Sequence, residues 1–564
     1  MAVTAHEVQA TGEQPRPLRS AAAALVEGLE LHGVPFVFGI PGAKIDAVFD
    51  SLLDRSPRII VCRHEQNAAF MAAAVGRLTG FPGVCVATSG PGASNLVTGL
   101  ATATTEGDPV IAIVGSVPRL ERLKRTHQSM DTTAMFAAVA KHSVQVDDPD
   151  DVPEVLANAF RTAVEGRPGA VVISLPQDVQ SSLTHVPAIG WTPPPALGSA
   201  PPELVRRAAD ALRSAALPVL LVGTRGSVPA VVDAITLLLT DFPMPAAETF
   251  QGAGALAGAH ESLFVGRVGL FRNQPADRVL AAADVVLTVG YDPVEYGPHA
   301  WNHGAPKTIV HLDELAADWD TAYQPQIELR GDPAATLNEL QHRLGRRELP
   351  TELGVIVAAN RPQLGRDLHV DLTDASPARP LAVVSELRKV VPEEAVVACD
   401  IGSNYIWMAR HFRASGPRQL LFSNGQQTLG VAMPWAMAAN LVGHRAVSVS
   451  GDGGFLFSGA ELETAVRCGL SFVHIVLRDD SYNMVAFQQQ EKYGRTSGIQ
   501  LGYYDLVKFA EAFGATGLRV RSESDLPRVL EAAFAAQGPV LVDVPVDYLH
   551  NADFLADLLP DDFH

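Results

Sequence analysis

The stretch Ala446-Val-Ser-Val-Ser-Gly451-Asp452-Gly453-Gly454-Phe455 decides the fold. A β-branched strand runs straight into Gly-Asp-Gly-Gly, and Glu461–Cys468 then reads as a helix. Glycines let a backbone approach a ligand closely, and N–H groups entering a helix suit a phosphate. Asp452 puts a carboxylate where strand meets helix. Mg²⁺ is a fitting guest there, because it takes one or two carboxylates plus substrate phosphates. For Gly-Asp-Gly alone, a tight turn with a capping Asp is the plainer explanation. The next strand shifts the balance: His474–Leu477 ends in Arg478-Asp479-Asp480-Ser481-Tyr482, with Asp479 falling 27 residues after Asp452. Adjacent parallel strands bring their carboxyl ends to one crevice. Two carboxylates there make a metal-diphosphate site.

Outward from this stretch, short β-branched runs alternate with amphipathic segments, the pattern of parallel βαβ units. Ala21–His32 reads as a helix; Phe36–Phe38, Ile59–Cys62 and Val84–Ala87 read as strands. The rhythm returns in Val219–Val222, Val285–Val289 and Ile309–Leu312, and again in Val396–Cys399, Val447–Val449, Val473–Leu477 and Val540–Val544. The Pro-rich stretches 192–202 and 374–380 interrupt it and read as linkers. The expected class is α/β, with three doubly wound parallel-sheet domains. The expected division is a flexible tail over 1–16, a domain over 17–190 carrying Glu65, and a linker over 191–202. A central domain over 203–350, a linker over 351–380, a phosphate- and metal-binding domain over 381–550 and a tail over 551–564 follow. Gly169–Asp178 matches Gly538–Asp547 in strand content and in the offsets of Gly, Pro and Asp. That fits two domains of common topology, though a strand bounded by Gly and Pro also recurs by chance.

Composition bounds the function. The chain has 564 residues, 43 Lys+Arg against 62 Asp+Glu and a formal net charge of −19, so nucleic acid or an anionic membrane is a poor main partner. Hydrophobic residues at 47% and charged residues at 19% are globular rather than disordered. The N-terminal residues have no apolar core of a signal peptide or anchor. Cys62, Cys85, Cys399 and Cys468 have no CxxC spacing. A soluble, cytoplasmic multidomain protein is expected.

Further signals lie elsewhere in the chain. In Arg63-His64-Glu65-Gln66-Asn67, a strand runs into a helix of small residues with Glu65 at its start. Glu65 could merely favour the helix N-terminus. Small apolar neighbours would also let it be buried, raising its pKa so that it can hold or exchange a proton. Glycine turns at Gly39-Ile-Pro41-Gly42-Ala43-Lys44 and Thr88-Ser-Gly-Pro-Gly-Ala-Ser-Asn95 complete neither GxGxxG nor a P-loop, so a nicotinamide or ATP site is poorly supported. Ser423-Asn-Gly-Gln-Gln427-Thr-Leu429-Gly430 is a loop before a helix of small residues.

Together these residues resemble the thiamine-diphosphate-dependent enzymes, and the likeness spans nearly the whole chain. Within that family the segments 39–54, 63–80, 88–96, 127–132, 265–275, 423–435 and 450–466 look like those of the catabolic, flavin-independent acetolactate synthases. The resemblance implies thiamine diphosphate and Mg²⁺, with FAD not expected. Asp452, Asp479 and the carbonyl of Ser481 would hold the metal. Gly402, Ser403, Gly451, Gly453, Gly454, Tyr482, Asn483 and Met484 would line the diphosphate end. Pro41, Gly42, Glu65, Thr88, Asn95, Gln427 and Leu429 would line the rest of the cofactor. Leu429 would lie under it, and Glu65 would bond a pyrimidine nitrogen. Lys44, Gln128, Gln427 and Gln488 would orient two molecules of pyruvate. The implied reaction decarboxylates one and joins its hydroxyethyl unit to the other, giving 2-acetolactate and CO₂; another 2-oxo acid decarboxylase or carboligase of the family is the alternative. The resemblance further implies a homodimer at minimum, with a homotetramer expected, and a place in acetoin or butanediol formation. The chain has no His-His dipeptide as in pyruvate decarboxylases, and Gln489 stands where the biosynthetic synthases carry a Trp. Asn404, Tyr405 and Arg478 depart from the family pattern and bear on acceptor preference.

Overall fold

A computed structural model describes residues 18–258, 260–270, 274–303, 306–360, 368, 370–549 and 551. The expected N-terminal tail therefore lies outside the described residues, as does all of the expected C-terminal tail but Asn551. Three six-stranded parallel sheets form three layered α/β units. No described helix is long and apolar enough to cross a membrane.

The first sheet is ordered Arg58–Val61, Phe36–Gly39, Gly83–Ala87, Val110–Ser116, Ala170–Pro176, His142–Gln145. The third is ordered Leu420–Phe422, Val396–Cys399, Ala446–Gly451, Val473–Arg478, Val540–Pro545, Thr516–Arg519. Numbered within each unit, both run 2-1-3-4-6-5. The Gly169–Asp178 and Gly538–Asp547 repeat occupies the same sixth strand in each, so the two units share one topology. The central sheet runs 3-2-1-4-5-6, from Phe264–Val268 through Pro218–Val222 to Ile327–Arg330. Every strand expected from the sequence is present within a residue or two, because β-branched runs bury both faces under helices. Two segments differ. Asp452–Ser458 is already helical where a glycine turn before Glu461 was expected. The expected linker 351–380 opens with a helix, Thr351–Ala359, because Leu353 and Val357 reach the central core.

The first and third units share a core. The helix Glu65–Thr79 is buried from Asn67 through Gly76 and packs on Ala432–Leu441. Both helices are rich in Ala, and small side chains let two helices lie close while each still covers its own sheet. One apolar cluster runs from Phe38 and Ile60 through Ala68–Val75 to Trp435, Phe455 and Leu541. Arg77 stacks over Trp435 at 4.5 Å from the ring centroid and pairs with Asp108 at 2.9 Å. This joint fixes how the start of Glu65's helix sits relative to the third sheet.

Candidate active site

In a sheet ordered 2-1-3-4, ligands bind where strands one and three separate. In the third unit those strands are Val396–Cys399 and Ala446–Gly451, which lead into Asp400–Ser403 and Asp452–Gly454. Strand Val473–Arg478 lies next to the latter, with Gly451 opposite Leu477, so Asp452 and Asp479 emerge side by side as the sequence indicates. Asp452 is 2% exposed and accepts from the N–H groups of Asp480 (2.7 Å) and Gly453 (2.9 Å). Burial, and then the Asp479 carboxylate, push Asp452 up to about 7. Asp479 is likewise raised, chiefly by burial, and accepts from Ser481 Oγ (2.8 Å) and Asn483 Nδ2 (2.7 Å). Two adjacent buried carboxylates, both raised, suit a cation.

Two glycines here allow close packing against neighbouring side chains. A Cβ on Gly453 would lie 2.6 Å from the Tyr482 ring, and one on Gly454 would lie 2.4 Å from Asp400 Oδ2. Asp400 is itself buried, pushed up to about 7 by burial, and accepts from the N–H groups of Gly430 (2.9 Å) and Val431 (3.0 Å). It thereby fixes the chain directly after half-buried Leu429. Ser403 donates to Asn483 Oδ1 at 2.7 Å, tying the Gly402 turn to the Asp479 segment. Met484 is half-buried in the first turn of helix Asn483–Tyr493, which has no fully buried residue and carries Gln488 exposed. Gln489 spends its amide on the backbone of Ser497, at 2.6 and 3.2 Å. The departing residues have structural partners: Arg478 pairs with Asp543 (2.9 Å) and Asp480 (3.2 Å), and Asn404 donates to the Asp400 carbonyl (2.7 Å). Tyr405 donates to Asn424 (2.8 Å), which lies in the Leu429 loop.

A second set assembles at the carboxyl ends of the first sheet. Glu65 begins its helix, is 7% exposed and accepts from Asn95 Nδ2 at 2.9 Å. A Cβ on Gly92 would come within 3.1 Å of Glu65 Oε1, so glycine leaves that oxygen free to meet a ligand. Gly42 abuts Thr88, where a Cβ would lie 2.7 Å away; the Lys44 N–H lies 3.4 Å from Thr88 Oγ1, and Pro41 is exposed. Lys44 Nζ donates to Gln177 at 3.0 Å, and Gln128, at positive φ, accepts from Ser89 Oγ at 3.3 Å. Pro41, Gly42, Lys44, Glu65, Thr88, Asn95 and Gln128 thus share one face. Among the described residues, no hydrogen bond within the chain joins this set to Asp452 or Asp479.

Two connections between the halves, and one within the third unit, escape sequence reasoning. Glu461, fully buried, accepts from Arg63 N (2.8 Å), His64 N (3.1 Å), Asn67 Nδ2 (3.1 Å) and Thr464 Oγ1 (2.7 Å). It holds the turn that aims Glu65. In return, helix Val97–Glu106 grips the Leu429 loop. Glu106 accepts from Gly425 N (2.7 Å), Thr105 from Gln426 (2.9 Å), and Thr102 and Thr428 are bonded at 2.8 Å. Gln427, at positive φ, is left exposed between these anchors. Third, Asn551 is buried against Ser403 and Asn483 rather than hanging free as a tail. Only the acidic residue opening a helix, as in Glu461, left a trace in sequence; the partners lie hundreds of residues away. A cavity of about 330 Å³ lies apart, between Arg77, Asp108, Arg225, Asp292 and Arg418, and includes none of the candidate residues.

Comparison with known proteins gives the family. Residues 19–135 match the family described as thiamine pyrophosphate enzyme, N-terminal TPP binding domain; 205–340 match its central domain; and 400–544 match its C-terminal TPP binding domain. The chain belongs to the thiamine pyrophosphate (thiamine diphosphate) enzyme family. It is 51% identical to the acetolactate synthase of Bacillus subtilis (strain 168) over 560 residues, 98% of each chain. It is 47% identical to a catabolic acetolactate synthase of Raoultella terrigena, over 93% of this chain and 95% of the relative. The large subunit of Escherichia coli acetolactate synthase isozyme 2 is 31% identical over 93% and 95%.

Proposed function

We propose that the chain is an acetolactate synthase: it decarboxylates one pyruvate and ligates the two-carbon unit to a second, releasing CO₂. The observation that carries this is the glycine-lined crevice holding Asp452 and Asp479, in a chain that resembles acetolactate synthases from end to end. The residues present fit thiamine diphosphate and Mg²⁺: carboxylates on adjacent strands suit the cation, and Gly453 and Gly454 let the Asp452 turn pack against Tyr482 and Asp400 where a side chain would clash. When bound, the cofactor supplies a nucleophilic carbon and a sink for the electrons left by departing CO₂.

The chain's own residues do the rest. Asp452, Asp479 and the Ser481 carbonyl would hold Mg²⁺; Gly402, Ser403, Gly451, Gly453, Gly454, Tyr482, Asn483 and Met484 would surround the diphosphate. Leu429, set by Asp400 and by Thr102 through Thr428, supports the ring system. Glu65 holds and moves a proton through its Oε1, the oxygen facing Gly92, while Asn95 fixes Oε2. Pro41, Gly42 and Thr88 line the same end. Lys44, Gln128, Gln427 and Gln488 orient the two carboxylates and keto groups of pyruvate. Closing this space against water favours ligation over protonation.

Because Glu65 and the Asp452–Asp479 pair belong to separate sets within one chain, a site shared between two copies fits best, so a homodimer is the smallest active form and a homotetramer is expected. The division at 190, 203, 350 and 381, flavin independence, a cytoplasmic setting and a role in acetoin or butanediol formation belong to the same proposal. Incubation with pyruvate, thiamine diphosphate and Mg²⁺ tests it. Acetolactate and CO₂ are expected; acetaldehyde without acetolactate overturns the proposal in favour of another decarboxylase of the family.

A further inference from the structure

The central unit supplies none of the residues placed at the site, yet it grips the loop that carries Gln427 and Leu429. That loop, residues 423–430, leaves the strand Leu420–Phe422 and leads to the helix Ala432–Leu441. At its root, Phe250 of the central unit packs edge-on against Phe422, with ring centroids 5.6 Å apart, and against Tyr405 at 5.5 Å. Phe250 is buried, so this contact is part of the core. Buried Asn424 comes next. Its oxygen accepts from the Tyr405 hydroxyl at 2.8 Å, and its Nδ2 donates to the Val294 carbonyl of the central unit at 2.6 Å. That carbonyl sits in a firmly held turn. The Val294 N–H donates to Asp292 Oδ1 at 3.1 Å, and buried Glu295 accepts from Asp292 N (3.0 Å) and Thr224 N (2.9 Å).

Gly425 makes the third contact, at one remove. Its N–H donates to Glu106, and Glu106 accepts from Gln251 Nε2 of the central unit at 2.7 Å. A Cβ on Gly425 would lie 2.1 Å from Thr105 Cγ2, so only glycine comes this close to the Glu106 helix. The Gln251 oxygen is buried and has no hydrogen-bond partner among the described residues, which leaves the bond to Glu106 as the amide's one engagement there. Phe422, Asn424 and Gly425 are therefore fixed by Phe250, Val294 and Gln251, the last acting through Glu106. Gln427 follows two residues later, exposed and at positive φ, a conformation that a residue with a side chain keeps only where its neighbours impose it.

We propose that the central unit sets the position of Gln427 against pyruvate, with Asn424 and Gln251 as positioning residues. This rests on the acetolactate synthase reading and extends it to a unit with no assigned part in the reaction. A displaced Gln427 holds pyruvate less well and admits water, so ligation loses ground to protonation. Full-length enzyme supplied with thiamine diphosphate and Mg²⁺ is compared with Asn424→Ala, Gln251→Leu and Gln251→Lys. KM, kcat and the ratio of acetaldehyde to acetolactate are measured, with the thermal midpoint of the same samples. Leucine has room at 251, which borders the cavity of about 330 Å³. Asn424→Ala and Gln251→Leu are each expected to raise KM for pyruvate about ten-fold, the equivalent of one hydrogen bond, and to raise the share of acetaldehyde. Gln251→Lys keeps a donor for Glu106 and returns both values toward wild type. A purely structural role lowers the midpoint and the active fraction but moves neither KM nor the product ratio. KM and product ratio within about two-fold of wild type in Asn424→Ala overturn the proposal, as does Gln251→Lys behaving no better than Gln251→Leu. If Asn424→Ala does not fold, the Gln251 pair decides alone. Wild-type enzyme that forms no acetolactate overturns the parent assignment instead.

Discussion

Replacing Glu461 by Ala tests whether the third unit truly sets the position of Glu65. Glu461 is wholly buried and gathers four donors: two backbone N–H groups at residues 63 and 64, the Asn67 amide and the Thr464 hydroxyl. Alanine leaves Asn67 Nδ2 buried without a partner, on a side chain whose oxygen already lacks one. That term costs about 2 kcal/mol, and the partly exposed N–H groups of Arg63 and His64 roughly 1 kcal/mol each, since water can reach them. Thr464 keeps an alternative acceptor in the Val61 carbonyl at 3.4 Å, so its term is small. The expected loss is therefore about 4 kcal/mol, at the upper end for a single substitution. Gln at 461 keeps the shape and one oxygen for the three donors that meet Glu461 Oε1, and loses the charge assistance, about 1–2 kcal/mol. Urea unfolding of the cofactor-free protein, at one fixed protein concentration because the enzyme is expected to be oligomeric, reads both values. Turnover should fall in the same order, Ala below Gln below Glu. Glu461→Ala unfolding within about 1 kcal/mol of wild type refutes the reasoning, because no such buried donor set could then exist.

Other perturbations probe the remaining contacts. Asp452 is raised to about 7, so the folded protein binds more protons than the unfolded chain between roughly pH 4 and 7 and loses stability as pH rises through that window. Cofactor-free protein should melt lower at pH 8 than at pH 5, with the gap narrowed by Mg²⁺ plus diphosphate and by Asp452→Asn; an unchanged gap in the variant contradicts this. Gly454→Ala drives a methyl to 2.4 Å from Asp400 and should abolish cofactor binding while leaving the chain folded, as read by calorimetric titration and circular dichroism. Thr102→Val strips the partner of the buried Thr428 hydroxyl and should cost about 1–3 kcal/mol in urea, with turnover reduced through the Leu429 loop.

What the chain reveals by itself follows from which forces are local. Strands were legible because a parallel sheet covered on both faces writes uninterrupted β-branched runs, as in Val473–Arg478. Asp452 and Asp479 were legible because the geometry that pairs them is the adjacency of consecutive strands, and Glu65 because it opens the helix that directly follows the strand Arg58–Val61. The repeat around Gly169 and Gly538 carried real topology, visible once both sheets showed the same strand order. Glu461, Glu106, Asp400 and Asn551 were not legible. Each is a polar residue buried because a distant segment supplies its partner: Asn67 lies 394 positions from Glu461 in sequence, and Gly425 lies 319 from Glu106. The early helix at Asp452–Ser458 was hidden by its glycines, which propensity alone assigns to a turn.

The most direct test of one cofactor served by Glu65 and the Asp452–Asp479 pair is complementation. Glu65→Gln and Asp452→Asn are each expected to be inactive. Co-expressed with different tags and purified as the mixed dimer, they leave one site with intact Glu65 from one copy and intact Asp452 from the other. That dimer should form acetolactate from pyruvate at about half the wild-type rate per dimer. A mixed dimer as inactive as its parents would contradict the shared site.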